Sequence, residues 1–269
     1  MKTLSTRLPE RSSSASGNGR LVVALPEPGL SMTQDAEWCV VRVGKEWRQI
    51  RFHDYDELFR IPGLYEKVIY DVLRCDSPRT VRELLEAALE RAGERSMGLR
   101  VLDLGAGNGM VGEQFGCLHV ERLVGVDLIP EAADATERDR PGLYDDYRVL
   151  DLTLLSEGQR QELAANRFNT LTCVAALGFG DIPPQVFAAA YNLIDAGGWV
   201  AFNIKQDFLT DTDSSGFACM IHRICENGML EIRERRRYTH RLSTDGRPLF
   251  YSALVGRKHR DIEAEMIPT

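Results

Sequence analysis

The stretch Val101-Leu-Asp-Leu-Gly-Ala-Gly-Asn-Gly109 decides the fold. Its apolar start is typical of a buried strand, and glycine then occupies alternate positions from Gly105 onward. Because glycine has no Cβ, such a loop lets the backbone approach a ligand closely. Residues 113–118 are predicted to be helical, and the free N–H groups at a helix start would face the same ligand. The stretch therefore predicts a strand–loop–helix unit that binds a nucleotide-like cofactor.

Two classes of cofactor fit a loop of this kind. The dinucleotide fingerprint Gly-x-Gly-x-x-Gly needs its third glycine at position 110, where this chain has Met110. The order acid-x-Gly-x-Gly-x-Gly, which begins at Asp103, instead resembles the first motif of class I S-adenosylmethionine (SAM) methyltransferases. SAM carries no phosphate, and a carboxylate suits the ammonium group of its amino acid end. An ordinary strand-to-helix turn can also be rich in glycine. The glycine loop therefore indicates a SAM site only together with the strands that follow it.

The next two predicted strands also end in acids. Asp127 ends the apolar run 122–127, and a carboxylate in this place can accept both ribose hydroxyls, as it also does in NAD enzymes. Asp151 ends the third strand, where an acid in the resembled family accepts from the adenine amino group. Each acid could instead cap a helix, Asp151 above all, because Leu-Thr follows it. Three acids at three successive strand ends favour the SAM family.

The resemblance implies a set of site residues. The predicted cofactor contacts are Asp103, Gly105, Ala106 and Gly107 at the methionine end of SAM, Asp127 and Leu128 at the ribose, Asp151 and Leu152 at the adenine, and Ala175 and Tyr65 elsewhere. The product, S-adenosylhomocysteine (SAH), would occupy the same site. The catalytic candidates are His53 and Tyr55, because residues 52–56 place a potential base beside two carboxylates. The aromatic residues near them could line an acceptor pocket or simply form a local core.

The order of predicted elements indicates an α/β fold. From residue 100 onward, strands near 100–104, 121–127, 146–151, 168–175 and 197–204 alternate with helices. This alternation predicts a doubly wound, mostly parallel sheet. Two β runs over 229–242 and 248–256 add a terminal antiparallel hairpin, which gives seven strands and separates the resembled family from NAD-binding folds. The predicted domains are a disordered leader (1–20), an N-terminal lid-like segment (21–75) and a SAM-binding core (76–269).

Composition restricts the partners. A content of 27% charged residues is ordinary for a globular protein. The formal charge of −7 gives no overall electrostatic attraction to nucleic acid or to anionic membranes. No apolar run approaches the roughly 20 residues that span a bilayer. The six cysteines contain no Cys-x-x-Cys pair, so we expect no metal site and a reducing cytoplasm. The oligomeric state cannot be predicted.

The segment after the fourth core strand bears on the methyl acceptor. Enzymes that methylate amino groups of nucleic acids resemble one another in an (Asp/Asn)-Pro-Pro-aromatic motif there, whereas this chain has Asp181-Ile-Pro-Pro-Gln185. The basic run 233–241 fits a solvated strand face better than a nucleic-acid site. We therefore expect a small molecule, methylated at O, N or S. The alternatives are a protein or nucleic acid methyltransferase, and a SAM-binding protein without catalysis.

Overall fold

Packing divides the part of the chain that the structure describes into two units. The computed structural model describes residues 21–27, 32–178, 180–209 and 215–268, so the predicted leader over 1–20 lies outside the described residues. One unit comprises the described residues up to Cys75 together with His240–Leu249, and the other contains the remainder. The predicted division assigned residues 240–249 to the core, whereas their packing groups them with the N-terminal unit.

The N-terminal unit contains a small antiparallel sheet. Its strands, in spatial order, are β1 (Val23–Ala24), β2 (Trp38–Val43) and β3 (Glu46–Arg51). The two longer strands turn at Gly44, whose φ of +64° favours glycine. Its helical segments are a 3-10 turn (Gln34–Ala36), α1 (Tyr55–Arg60) and a π-helix (Glu66–Val72). Cys39, Val41 and Leu58 are fully buried in the core of this unit.

A buried ion pair links distant parts of the N-terminal unit. Arg241 Nη2 donates to Glu37 Oε2 over 2.6 Å, and both side chains are almost completely excluded from solvent. The backbone N–H of Thr244 donates to the second carboxylate oxygen, Glu37 Oε1. A buried charge is tolerated only where it is paired and hydrogen-bonded in this way. The pair therefore explains why residues 240–249 belong to this unit.

The larger unit carries a seven-stranded sheet. Its strands are β4 (Arg100–Leu104), β5 (Arg122–Asp127), β6 (Asp146–Val149), β7 (Thr170–Cys173), β8 (Trp199–Lys205), β9 (Leu230–Leu242) and β10 (Pro248–Lys258). The spatial order is β6-β5-β4-β7-β8-β10-β9. The pairs from β6 to β8 are parallel, and β10 is antiparallel to β8. The predicted mostly parallel sheet with its terminal antiparallel strands is confirmed.

Helices cover both faces of this sheet. They are α2 (Ser77–Ala92), α3 (Met110–Gly116), α4 (Pro130–Asp139), α5 (Glu157–Ala164), α6 (Pro184–Asn192) and α7 (Phe217–Glu226), with 3-10 turns over Ser96–Gly98, Gln206–Leu209 and Ala264–Met266. Successive residues of a strand point to opposite faces. Accordingly, Val101 packs with α2 and α3 on one face, whereas Leu102 packs with α6 and α7 on the other. Two apolar layers therefore enclose the parallel strands, as in doubly wound folds.

Two of the parallel strands end slightly earlier than the sequence pattern predicts. Strand β6 ends at Val149 and β7 at Cys173, so Asp151 and Ala175 lie in the loops beyond them. The carboxyl ends of parallel strands and the loops after them form the ligand-binding crevice of open α/β sheets. None of the described helices is both long and apolar enough to cross a bilayer.

Candidate functional site

The glycine loop after β4 uses its conformational freedom at each glycine. Gly105, Gly107 and Gly109 have φ values of +70°, +56° and +88°, in the left-handed region that side chains with a Cβ rarely adopt. A Cβ at Gly105 would also lie 2.9 Å from Ile182 Cδ1 and 3.0 Å from Ala176 Cβ. The loop leads directly into α3, which begins at Met110 rather than at the predicted residue 113. The loop therefore needs glycine for both its shape and its packing.

Asp127 holds this loop from the neighbouring strand. The N–H of Gly107 donates to Asp127 Oδ2 over 2.8 Å. The N–H groups of Leu128 and Ile129 donate to the other oxygen, Oδ1, over 2.7 and 3.2 Å. Burial raises the pKa of Asp127, and these three N–H bonds oppose the rise. The carboxylate therefore fixes the loop while it stays at the carboxyl end of β5, partly open to solvent.

Asp103 lies beneath the loop and is fully buried. Its Oδ2 accepts from the Tyr144 hydroxyl over 2.7 Å, and its Oδ1 accepts from the Thr172 hydroxyl over 2.8 Å. Burial raises the pKa of Asp103 to about 7, although both hydroxyl bonds favour the ionised form. Each of its oxygens therefore has a protein partner, so the carboxyl group supports the loop from below.

Two tyrosines and a threonine complete the support of the loop. The Tyr147 and Thr136 hydroxyls both donate to the carbonyl oxygen of Gly107, over 2.7 and 2.8 Å. The Tyr144 and Tyr147 rings meet edge to face with their centroids 5.4 Å apart. Glycine at position 112 makes room, since a Cβ there would lie 2.5 Å from the Tyr144 hydroxyl oxygen. The loop is therefore held in one conformation by side chains that do not belong to it.

Asp151 and its neighbours lie beyond β6. Asp151 Oδ1 accepts from both the N–H and the hydroxyl of Thr153, over 2.8 and 2.6 Å, and these bonds lower its pKa. This is a local side-chain turn and not a helix cap, because the next helix begins at Glu157 with Ser156 as its N-cap. Leu152 is buried, whereas the side chain of Leu128 is 63% exposed at the end of β5. An exposed leucine beside the Asp127 carboxylate leaves apolar surface for a ligand.

Comparison with known families identifies this domain. A family model described as "Methyltransferase domain" matches residues 102–202, which span the glycine loop, Asp127 and the start of β8. Residues 102–202 form a methyltransferase domain. The expected family and fold class are therefore confirmed.

Curated proteins resemble part of this chain. The chain is 28% identical over 108 residues to a ubiquinone biosynthesis O-methyltransferase from Burkholderia thailandensis, covering 39% of this chain and 44% of that protein. It is 30% identical over 118 residues to a protein of the same name from Xanthomonas axonopodis pv. citri, covering 43% and 45%. The chain thus spans less than half the length of these curated relatives.

A solved structure matches over a longer range. The N-methyltransferase NodS from Bradyrhizobium japonicum, in complex with S-adenosyl-L-homocysteine, superposes with a TM-score of 0.51 at 14% identity. The match covers 77% of this chain and 97% of that one. At this identity the likeness shows that the two proteins share a fold.

Within the methyltransferase domain, Ala175 has an unusual backbone. It has a φ of +58°, a left-handed conformation that is rare for a residue with a Cβ. Its N–H donates to Asn203 Oδ1 over 2.6 Å. Ala175, a predicted cofactor contact, thus lies in the loop after β7.

The remaining candidates lie in the N-terminal unit. His53 and Tyr55 meet edge to face with their ring centroids 5.7 Å apart. Tyr55 stacks with Phe59, and Phe59 contacts Tyr65 at a centroid distance of 5.0 Å. These rings form one aromatic series that includes both catalytic candidates and the proposed cofactor contact Tyr65. Their part in catalysis or binding stays a prediction.

The sequence patterns did not identify the buried side chains that hydrogen-bond the predicted site residues. Tyr144, Thr172 and Asn203 were not among the predicted site residues, yet they bond Asp103 and Ala175. The signal for two of them was present in the sequence. Thr172 and Asn203 are polar residues inside apolar strands, and buried polar groups require partners.

Proposed function

We propose that this protein transfers a methyl group from SAM to an O, N or S atom of a small molecule. The observation that carries the proposal is the Asp127 carboxylate, which bonds the glycine loop at the carboxyl end of β5 while remaining partly open to solvent. A carboxylate placed there can also accept ribose hydroxyls. The exposed side chain of Leu128 beside it suits an apolar ring.

The residues of the domain fit SAM at three places. The backbone at Gly105 and Gly107 would receive the methionine end, Asp127 the ribose, and Asp151 with Leu152 the adenine. Asp103 would act on the loop from beneath, because it is fully buried there and both of its oxygens accept from hydroxyl groups. Its burial thus changes the proposed contribution of Asp103 from direct contact with the ammonium group to support of the loop.

Methyl transfer from SAM requires little covalent participation by the protein. Bound SAM supplies an electrophilic methyl group on a positively charged sulfur, open to displacement in line with the leaving sulfur. The protein must align the acceptor atom with that axis and exclude water. A general base is needed only for an acceptor that arrives protonated. His53 and Tyr55 are our candidates for that step.

Several features support a small acceptor. The partial relatives are named for the O-methylation of a small molecule in ubiquinone biosynthesis. The loop after β7 presents the small residues Ala175 and Ala176, and its Pro183-Pro184 pair is followed by Gln185 rather than by an aromatic residue. Small side chains leave room beside the methyl donor, and the missing aromatic residue argues against amino groups of nucleic acids.

Calorimetric titration with SAH, with NADH as the control, tests the cofactor. We expect micromolar binding of SAH and none of NADH. Saturating SAH should also raise the unfolding temperature, since a ligand at about 100 times its Kd stabilises the native state by about 2.7 kcal/mol. Binding of NADH alone, or of neither ligand, would contradict the proposal.

Transfer from methyl-labelled SAM to a panel of phenols, amines and thiols then tests the acceptor class. Label in a small-molecule product is the expected result. Strong SAH binding without transfer to any member of the panel, but with labelling of protein or RNA, would contradict a small acceptor and indicate a macromolecular one.

A further inference from the structure

The strained turn after β7 is tied to the interior of the sheet by one buried side chain. Asn203 lies on β8, fully buried, and its Oδ1 accepts the N–H of Ala175 over 2.6 Å. Because an N–H can only donate, this bond fixes which end of the Asn203 carboxamide faces the turn. The amide nitrogen must then find acceptors on the other side.

Two hydroxyl groups provide those acceptors. Asn203 Nδ2 donates to Ser77 Oγ over 3.0 Å and to Tyr238 Oη over 2.6 Å. The two hydroxyls are themselves hydrogen-bonded at 2.6 Å. Ser77 is the first residue of α2 and is fully buried, and Tyr238 comes from β9. The carboxamide is therefore held by a closed triangle of bonds and has little freedom to rotate.

The turn that Asn203 holds continues to the glycine loop. Ala175 has its φ of +58°, a conformation that strains any residue with a Cβ and that glycine adopts freely. The next residue, Ala176, packs so closely against Gly105 that a Cβ added to Gly105 would lie 3.0 Å from Ala176 Cβ. A change in the conformation of the turn would therefore alter the packing against Gly105, the first glycine of the loop.

We propose that Asn203, held by Ser77 and Tyr238, is a positioning residue that fixes the turn at Ala175. Through Ala176 it also sets the distance between this turn and the glycine loop. Under the proposed function, this turn and this loop would both contact the methyl donor. The inference rests on the proposed function, because it assigns the network to the placement of SAM.

The test is the Kd for SAH, measured by calorimetry on the full chain. We expect Asn203→Ala to weaken SAH binding by about tenfold, the typical effect of a lost buried hydrogen bond that orders a site. Tyr238→Phe, which removes one acceptor of the carboxamide and preserves packing, should weaken binding by a smaller factor and covers the case in which Asn203→Ala does not fold.

A matched control separates positioning from general stability. Tyr191→Phe also removes a buried hydroxyl, the one that donates to the Met229 carbonyl oxygen over 2.6 Å on the opposite face of the sheet. It should lower the unfolding temperature and leave the Kd for SAH unchanged.

A second substitution provides the decisive readout. Ala175→Gly removes the backbone strain that the Asn203 bond offsets, so we expect the double variant Asn203→Ala, Ala175→Gly to recover much of the lost SAH affinity. Failure of wild-type protein to bind SAH would refute the proposed function itself. Normal SAH affinity in Asn203→Ala and Tyr238→Phe, or a loss that Ala175→Gly does not relieve, would overturn the positioning role alone.

Discussion

The carboxylate of Asp127 accepts the backbone N–H of Gly107, with 2.8 Å between the nitrogen and Oδ2. One side chain thereby joins the second strand of the parallel sheet to the loop after the first. The same carboxylate is the proposed acceptor for ribose hydroxyls. Substitution of Asp127 would therefore remove a ligand contact and loosen the loop together.

We predict that Asp127→Ala weakens SAH binding by about 1–3 kcal/mol, the range for charge-assisted hydrogen bonds. Titration calorimetry measures the change directly. Asp134→Ala is the control, because Asp134 is an exposed carboxylate on α4 and its loss should leave the Kd unchanged. Unaltered SAH affinity in a folded Asp127→Ala protein would disprove the ribose assignment.

Asp103 should make stability depend on pH. Burial raises its pKa from 3.8 to about 7, so the folded protein holds this proton to a higher pH than the unfolded chain does. Its contribution to the unfolding free energy is therefore full below about pH 4 and is lost as the pH rises to about 7. Asn at position 103 has no such proton. The stability of Asp103→Asn relative to wild type should therefore rise between about pH 4 and 7, which urea unfolding across that range measures. A constant difference in stability between the two proteins over that range would count against the raised pKa.

Gly112 should tolerate no side chain. A Cβ at this position would lie 2.5 Å from the Tyr144 ring and hydroxyl, which in turn bonds Asp103. We expect Gly112→Ala to destabilise the fold by about 1–3 kcal/mol, the usual effect of overpacking. Gly158→Ala on α5 is the matched control, because nothing lies within 4 Å of its added Cβ and alanine favours a helix. Thermal unfolding distinguishes the two, and equal midpoints would show that Tyr144 can move aside.

Lys258 should be important for stability despite its charge. Its Nζ is buried and donates to the carbonyl oxygens of Tyr191 and Ile194, at the end of α6, over 2.9 and 2.6 Å. Lys258→Met would leave the Ile194 carbonyl oxygen without this donor and would remove the ion pair with Asp261, and we expect a loss of about 2–4 kcal/mol in urea unfolding. The exposed Lys67 pairs only with Asp71, so Lys67→Met should change stability by less than about 0.5 kcal/mol. A similarly small effect at Lys258 would mean that water replaces the lysine.

The fold could be predicted because its signals are local. Glycine at alternate positions after an apolar run indicated the loop, and the parallel strands other than the edge strand β6 appeared as short apolar segments. The acid at the end of β5 followed from the same pattern, since Asp127 directly ends its strand. Local spacing also located the hairpin between β9 and β10.

The support of the site could not be predicted, because it depends on contacts between residues distant in the chain. Tyr144 bonds Asp103 across 41 positions, and Asn203 bonds Ser77 across 126. No period or spacing relates such residues. Spacing also placed Asp103 among the proposed ligand contacts, and only the packing shows that its two oxygens accept hydrogen bonds from the Tyr144 and Thr172 hydroxyls.

The ion pair between Glu37 and Arg241 has a consequence for dissecting the protein. The two residues stand at opposite ends of the sequence, yet they share one buried environment in the N-terminal unit. A fragment ending at Cys75 would keep the carboxylate and lose its guanidinium, and the complementary fragment would keep the reverse. Neither unit can be obtained by cutting the chain once, so studies of the methyl-transfer chemistry have to use the undivided polypeptide.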